Sequence, residues 1–253
     1  MLLFLRFLPF LLGILNAALF VAQSRYPASY PWIVAISPVL LVASVLLIGW
    51  KRHQGAALFQ RSIPSLLAVS AAAYTMLLAE GVFAQVVLPV FVGLASFLCL
   101  ELMFLSVYLP SRYPVNGLSH LNLSLVPITL WFLAFTSVGL TVFLNMTRVL
   151  PVAVMTAAVS VLFWSTSHVE SAPAEQRRWM MLGAWMGFQV GILCAVLPFN
   201  LMLHGTVAAV TVSLALRSRR YLIAPVIPKK IIILEGASVA LFLVLILSTA
   251  AWV

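Results

Sequence analysis

Long apolar runs separated by short polar breaks set the pattern of this chain. Nine of them are read at roughly 2–22, 31–50, 62–80, 84–109, 121–145, 149–166, 179–198, 200–216 and 231–252. Such lengths match the roughly 20 residues an α-helix needs to cross about 30 Å of hydrocarbon, with tilt absorbing the spread. The pattern therefore predicts an all-α fold: a polytopic transmembrane helix bundle of about nine spans, forming one domain over 1–253. The first run also has features of a signal peptide, because MLLFLR precedes an apolar stretch that small residues follow. Its single basic residue, Arg6, and the polar Asn16 in its core favour an uncleaved span.

The seventh run, WMMLGAWMGFQVGILCAVLP, has a finer pattern. Gly183, Gly187, Gly191 and Ala195 recur every four residues and so form one side-chain-poor stripe along a helix. In lipid, stripes of small residues let helix backbones approach closely enough for van der Waals packing to hold them. The stripe predicts that this helix, polar only at Gln189, is the central one against which the others pack.

Composition agrees with the pattern. The chain is 64% hydrophobic and only 8% charged, with a formal net charge of +9, whereas soluble domains are about a quarter charged. The cations sit in short breaks between apolar runs. This placement selects anionic lipid headgroups as partners rather than nucleic acid. Both cysteines, Cys99 and Cys194, fall inside apolar runs, which suits small packing residues rather than a disulfide or metal site.

Charge also predicts orientation, since cytoplasmic loops are enriched in Lys and Arg. With the N-terminus inside, the inner breaks hold Lys51, Arg52, Arg61, Arg112, Arg177, Arg178, Arg217, Arg219, Arg220, Lys229 and Lys230. The outer breaks hold Arg25 and Arg148. The expected topology is N-in and C-out. In a bacterial host the compartment would be the plasma (inner) membrane. A weak internal rhythm suggests a first helix with its outer loop (1–30), then two parallel four-helix repeats over 31–145 and 149–253. Pro31 and Pro151 open the two sets, and Arg61 and Arg178 precede the second span of each. Ordinary hairpin spacing would give the same rhythm.

Polar residues inside the runs are the candidate functional groups. Glu101 is the deepest ionisable one, about 12 Å in from the inner end of its span at 1.5 Å per residue. A charge there costs roughly 2.5–3.5 kcal/mol on insertion scales, so it must be neutral, paired or facing a wet cavity. Arg6 and Glu235 are expected in the same leaflet. An Arg6–Glu101 or Arg6–Glu235 pair is the economical arrangement, and a proton- or substrate-coupling carboxylate is the functional one. Toward the outer face gather Asn16, Glu80, Gln85, Asn145, Asn200 and His204, with His204 the only histidine inside a span. It reads as a hydrogen-bonded packing residue, since haem held by two histidines would need a partner at matched depth. Asn145-Met146-Thr147 is a glycosylation sequon at the predicted outer edge, meaningful only in a eukaryotic host. Pro38, Pro89 and Pro127 are expected to kink their helices.

The basic segment 217–230, with Arg217, Arg219, Arg220, Lys229 and Lys230, suits a topogenic loop against anionic headgroups. No P-loop, HExxH or GxSxG is present, Asp is absent, and no Lys lies within a span. No catalytic residue, metal site or cofactor is therefore assigned. Two readings follow. One is a non-catalytic scaffold or assembly subunit that packs with partner membrane proteins or with itself. The other is a secondary transporter for a small solute using Glu101.

Overall fold

The structure is a computed structural model that describes residues 2–26, 28, 30–50, 55–167, 173–197 and 200–223, with isolated positions between 233 and 244. The expected ninth span (231–252), with Glu235, Lys229 and Lys230, lies outside the described residues apart from those positions. The side chains of Arg219 and Arg220 lie outside them too.

Among the described residues eight α-helices follow one another in chain order: α1 (Leu2–Arg25), α2 (Tyr30–Trp50), α3 (Gly55–Thr75), α4 (Leu88–Tyr108), α5 (Gly117–Phe143), α6 (Val149–Ser167), α7 (Pro173–Val196) and α8 (Leu201–Ile223). Among the described residues six apolar stretches are long enough to cross a bilayer: Phe4–Arg25, Tyr30–Trp50, Phe83–Tyr108, Gly117–Phe143, Val149–Thr166 and Ala174–Val196. These make the chain an all-helical bundle compatible with a multi-pass membrane protein. The apolar part of α8, Leu201–Arg217, is shorter. The third expected span, 62–80, is replaced by a helix over Gly55–Thr75 that is not among the six. The reason is physical. α3 packs against α2, α4, α5 and α6, and buries Ser62, Ser65 and Thr75 among small residues such as Ala68, Ala71, Ala72 and Ala73. An interior helix shielded by its neighbours does not need uniform apolarity.

Contacts between neighbours show the helices alternating in direction: α1 runs against α4, α6 against α7 and α5 against α8, while α3 and α5 start at the same end. That end, the basic end, carries Arg61, Arg112, Arg177, Arg178 and Arg217; Arg25 and Arg148 lie at the opposite end. α5 is the central helix. It touches α3, α4, α6, α7 and α8, and 61% of its apolar window is buried, against 28% for α7. This corrects the expectation that α7 would be central. Its glycine stripe is real but serves one neighbour, α6. A Cβ added at Gly183 would fall 2.7 Å from Phe163 Cβ, at Gly187 2.5 Å from the Met155 carbonyl oxygen, and at Gly191 2.6 Å from Val152 Cα. Ala195 continues the stripe, half-buried. The other face of α7 is exposed.

A similar contact joins α1 to α4. At Gly13 an added Cβ would lie 2.9 Å from Phe97 Cβ, and at Gly93 3.0 Å from Ala17 Cβ. The buried face of α1 is Leu5, Leu8, Leu12, Asn16, Phe20 and Gln23, a spacing of three and four that suits a helix lying along a partner. Pro38 and Pro127 lie within α2 and α5. Pro89 instead follows a π-helical turn at Phe83–Val87 and sits in the first turn of α4, where a missing amide hydrogen breaks no bond of that helix.

Candidate functional site

Glu101 sits on α4 seven residues before Tyr108, so about 10 Å along the helix axis from the basic end. Arg6 enters the same level from the first turns of α1, which crosses α4 at Gly13 and Gly93. Its Nη1 donates to Glu101 Oε1 at 2.6 Å, and its guanidinium lies 5.4 Å from the Phe104 ring centroid, within cation–π range. Phe104 stacks on Tyr108 at 5.2 Å, and the Tyr108 hydroxyl donates to the Ile48 carbonyl at 3.0 Å. One polar chain thereby ties α1, α4 and α2 together near the basic end. Of the two partners expected for Arg6, Glu101 is the one in contact; Glu235 lies outside the described residues. The Glu101 side chain is 16% exposed and that of Arg6 43%. Glu101 Oε2 is buried with no hydrogen-bond partner among the described residues.

A second tie lies deeper. Asn16, fully buried, donates from Nδ2 to Ser96 Oγ on α4 at 2.9 Å and accepts from Ser37 Oγ on α2 at 3.0 Å. An amide has both a donor and an acceptor, so it links two flanking helices whose serines offer one of each. Further polar links hold α3 to α5: Thr75 and Thr136 hydroxyls at 2.9 Å, and Asn122 Nδ2 donating to the Arg61 carbonyl at 2.8 Å.

His204, buried on α8, places its ring nitrogens 3.1 Å from the carbonyls of Asn200 and Leu197. Asn200 Oδ1 in turn accepts from the Leu203 amide at 2.8 Å, as a capping residue does. This cluster fastens the end of α7 to the start of α8. It borders a small apolar crevice lined by Val190, Leu193, Cys194, Leu197, His204 and Val207. Cys99 and Cys194 are buried and free.

The six polar residues expected near one face do not come together as a group. Asn16 belongs to the three-helix tie, Asn200 and His204 meet each other, and Glu80, Gln85 and Asn145 are exposed. Arg217 is exposed at the basic end, and Gln189 is exposed on the outward face of α7. Sequence reading missed Ser37, Ser96, Thr75, Thr136, Asn122 and Gln23. Gln23, whose amide atoms are buried with no partner among the described residues, had a usable signal: it lies seven residues after Asn16, on the same helix face. The serines and threonines had none, because small hydroxyls inside spans are common and readily bond a carbonyl of their own helix, as Ser44 and Thr129 do.

No family model, curated protein or solved structure matches this chain.

Proposed function

We propose that this chain is a non-catalytic assembly subunit of a membrane, a bundle that holds partner membrane proteins against its outward helix faces. The observation that supports it is how the polar groups are used. Arg6, Asn16 and His204 are engaged in links between or at the ends of this chain's own helices, while α7 turns a long face with one free amide, Gln189, away from the bundle. Groups tied up internally brace a rigid body; an outward amide in an apolar face suits recognition.

The same proposal includes N-in, C-out topology in a plasma (inner) membrane if the host is bacterial. It places Arg217, Arg219, Arg220, Lys229 and Lys230 against anionic headgroups, each worth about 1 kcal/mol near the surface. It also keeps the division into a first helix and two four-helix halves, supported by the hairpins α2–α3 and α6–α7 that open each half.

One observation favours the alternative, a carrier using Glu101: its Oε2 is buried and unpaired among the described residues. Purification in mild detergent combined with Glu101→Gln separates the two. The assembly reading expects proteins to co-purify with the parent chain and with Glu101→Gln alike. Loss of a solute flux in Glu101→Gln, with unchanged abundance and no co-purifying protein, would overturn it in favour of the carrier.

A further inference from the structure

α7 presents two faces with different periods. Toward α6 lie Gly183, Gly187 and Gly191, four residues apart. On the opposite side Leu182, Trp185, Gln189, Ile192 and Val196 follow spacings of three, four, three and four, and all five are exposed. At 100° per residue this second row is centred about 180° from Gly187. A row spaced 3–4–3–4 is the seam of a left-handed helix pair, and Gln189 occupies its middle position.

Depth makes Gln189 informative. Trp179 and the preceding Arg177 and Arg178 mark the basic end of the span. Gln189 is ten residues further, so about 15 Å in, near the centre of a hydrocarbon core about 30 Å thick. Its side chain is too short to reach either surface. It makes no hydrogen bond to any described residue, so a donor and an acceptor face outward where water is absent. An unsatisfied polar group in hydrocarbon costs free energy that a partner helix relieves.

We propose that the partner is a second copy of this chain, docked α7 to α7 about a twofold axis along the membrane normal. The argument is complementarity. The partner must offer one donor and one acceptor at the same depth, from a helix with the same seam. A twofold axis supplies both at once, each Gln189 amide donating to the carbonyl of the other. A polar residue at one central seam position also fixes register and favours a defined pairing. The proposal rests on the assembly reading above and names its first partner.

The test is oxidative cross-linking in native membranes, with Cys99→Ala and Cys194→Ala removing background thiols. Gln189→Cys, and Ile192→Cys on the same seam, are expected to give a disulfide-linked band at twice the mass of the chain. Leu98→Cys, exposed on α4, serves as the collision control and is expected to stay monomeric. Counting subunits by single-molecule photobleaching in vesicles, Gln189→Leu is expected to weaken the dimer about tenfold, and Gln189→Asn to retain most of it. Seam cysteines that cross-link no better than Leu98→Cys overturn the proposal. A cross-link from residue 189 to a different protein also overturns it but leaves the assembly reading standing. A chain that is monomeric at every lipid dilution and co-purifies with nothing overturns both.

Discussion

Gly187→Ala is the sharpest perturbation of the packing described here, because it adds one carbon where backbone stands in the way. The new Cβ would meet the Met155 carbonyl oxygen at 2.5 Å and Thr156 Cα at 2.8 Å, and ordinary contact begins near 3.4 Å. α6 and α7 must therefore part locally by about 0.9 Å. Neither obstacle is the end of a flexible side chain. Gaps of about 0.5–1 Å forfeit a quarter to a half of each dispersion well, and overpacking of this kind costs about 1–3 kcal/mol. The better helix propensity of alanine returns about 0.5–1 kcal/mol, so the middle of the two ranges leaves a net loss of about 1 kcal/mol. Gly55→Ala is the control, since among the described residues its added Cβ would meet only Leu46 Cδ2, at an ordinary 3.6 Å. Its stability is expected to stay within about 0.5 kcal/mol of the parent. Unfolding in mixed micelles by sodium dodecyl sulfate, followed by tryptophan fluorescence, measures both. A Gly187→Ala protein as stable as the parent, or a Gly55→Ala protein equally weakened, would refute the reasoning.

The buried ties give two further predictions by the same assay. In a double-mutant cycle, Asn16→Leu and Ser96→Ala are expected to couple by about 0.6–1.7 kcal/mol, the range for hydrogen bonds between membrane helices; zero coupling would remove the α1–α4 tie from the account. Arg6→Gln alone is expected to destabilise more than Arg6→Gln with Glu101→Gln together, because the single change strands a buried carboxylate; a double variant weaker than both singles would contradict the pairing.

Much of the architecture was legible in the sequence, because hydrophobic run length is a property of single segments. Which helices touch is a property of pairs, and there the reading was less complete. The stripe Gly183–Gly187–Gly191 lies where α7 runs close to α6, yet a stripe cannot say how many neighbours use it. A single partner, α6, takes all of it, so α7 lies at the edge and α5 in the middle. α3 was displaced because its serines, shielded in the bundle, blur the edges of an apolar run. Depth and charge narrowed the partners of Arg6 to Glu101 or Glu235 without choosing between them, because burial in lipid leaves few choices. The Asn16 tie was only half visible: the amide stood out in its run, while Ser37 and Ser96 did not.

The central claim, a bundle threaded through hydrocarbon with its basic end at the cytosol, is tested most directly by sided thiol labelling. Single cysteines at Ser111 (basic end), Met146 (opposite end) and Leu98 (outward on α4) are placed in the Cys99→Ala, Cys194→Ala background. They are then exposed to a membrane-impermeant maleimide in right-side-out vesicles. The expected result is labelling at 146 at once, at 111 only after permeabilisation, and at 98 in neither case. Labelling of residue 98 in intact vesicles, or of residue 111 as readily as 146, would contradict it.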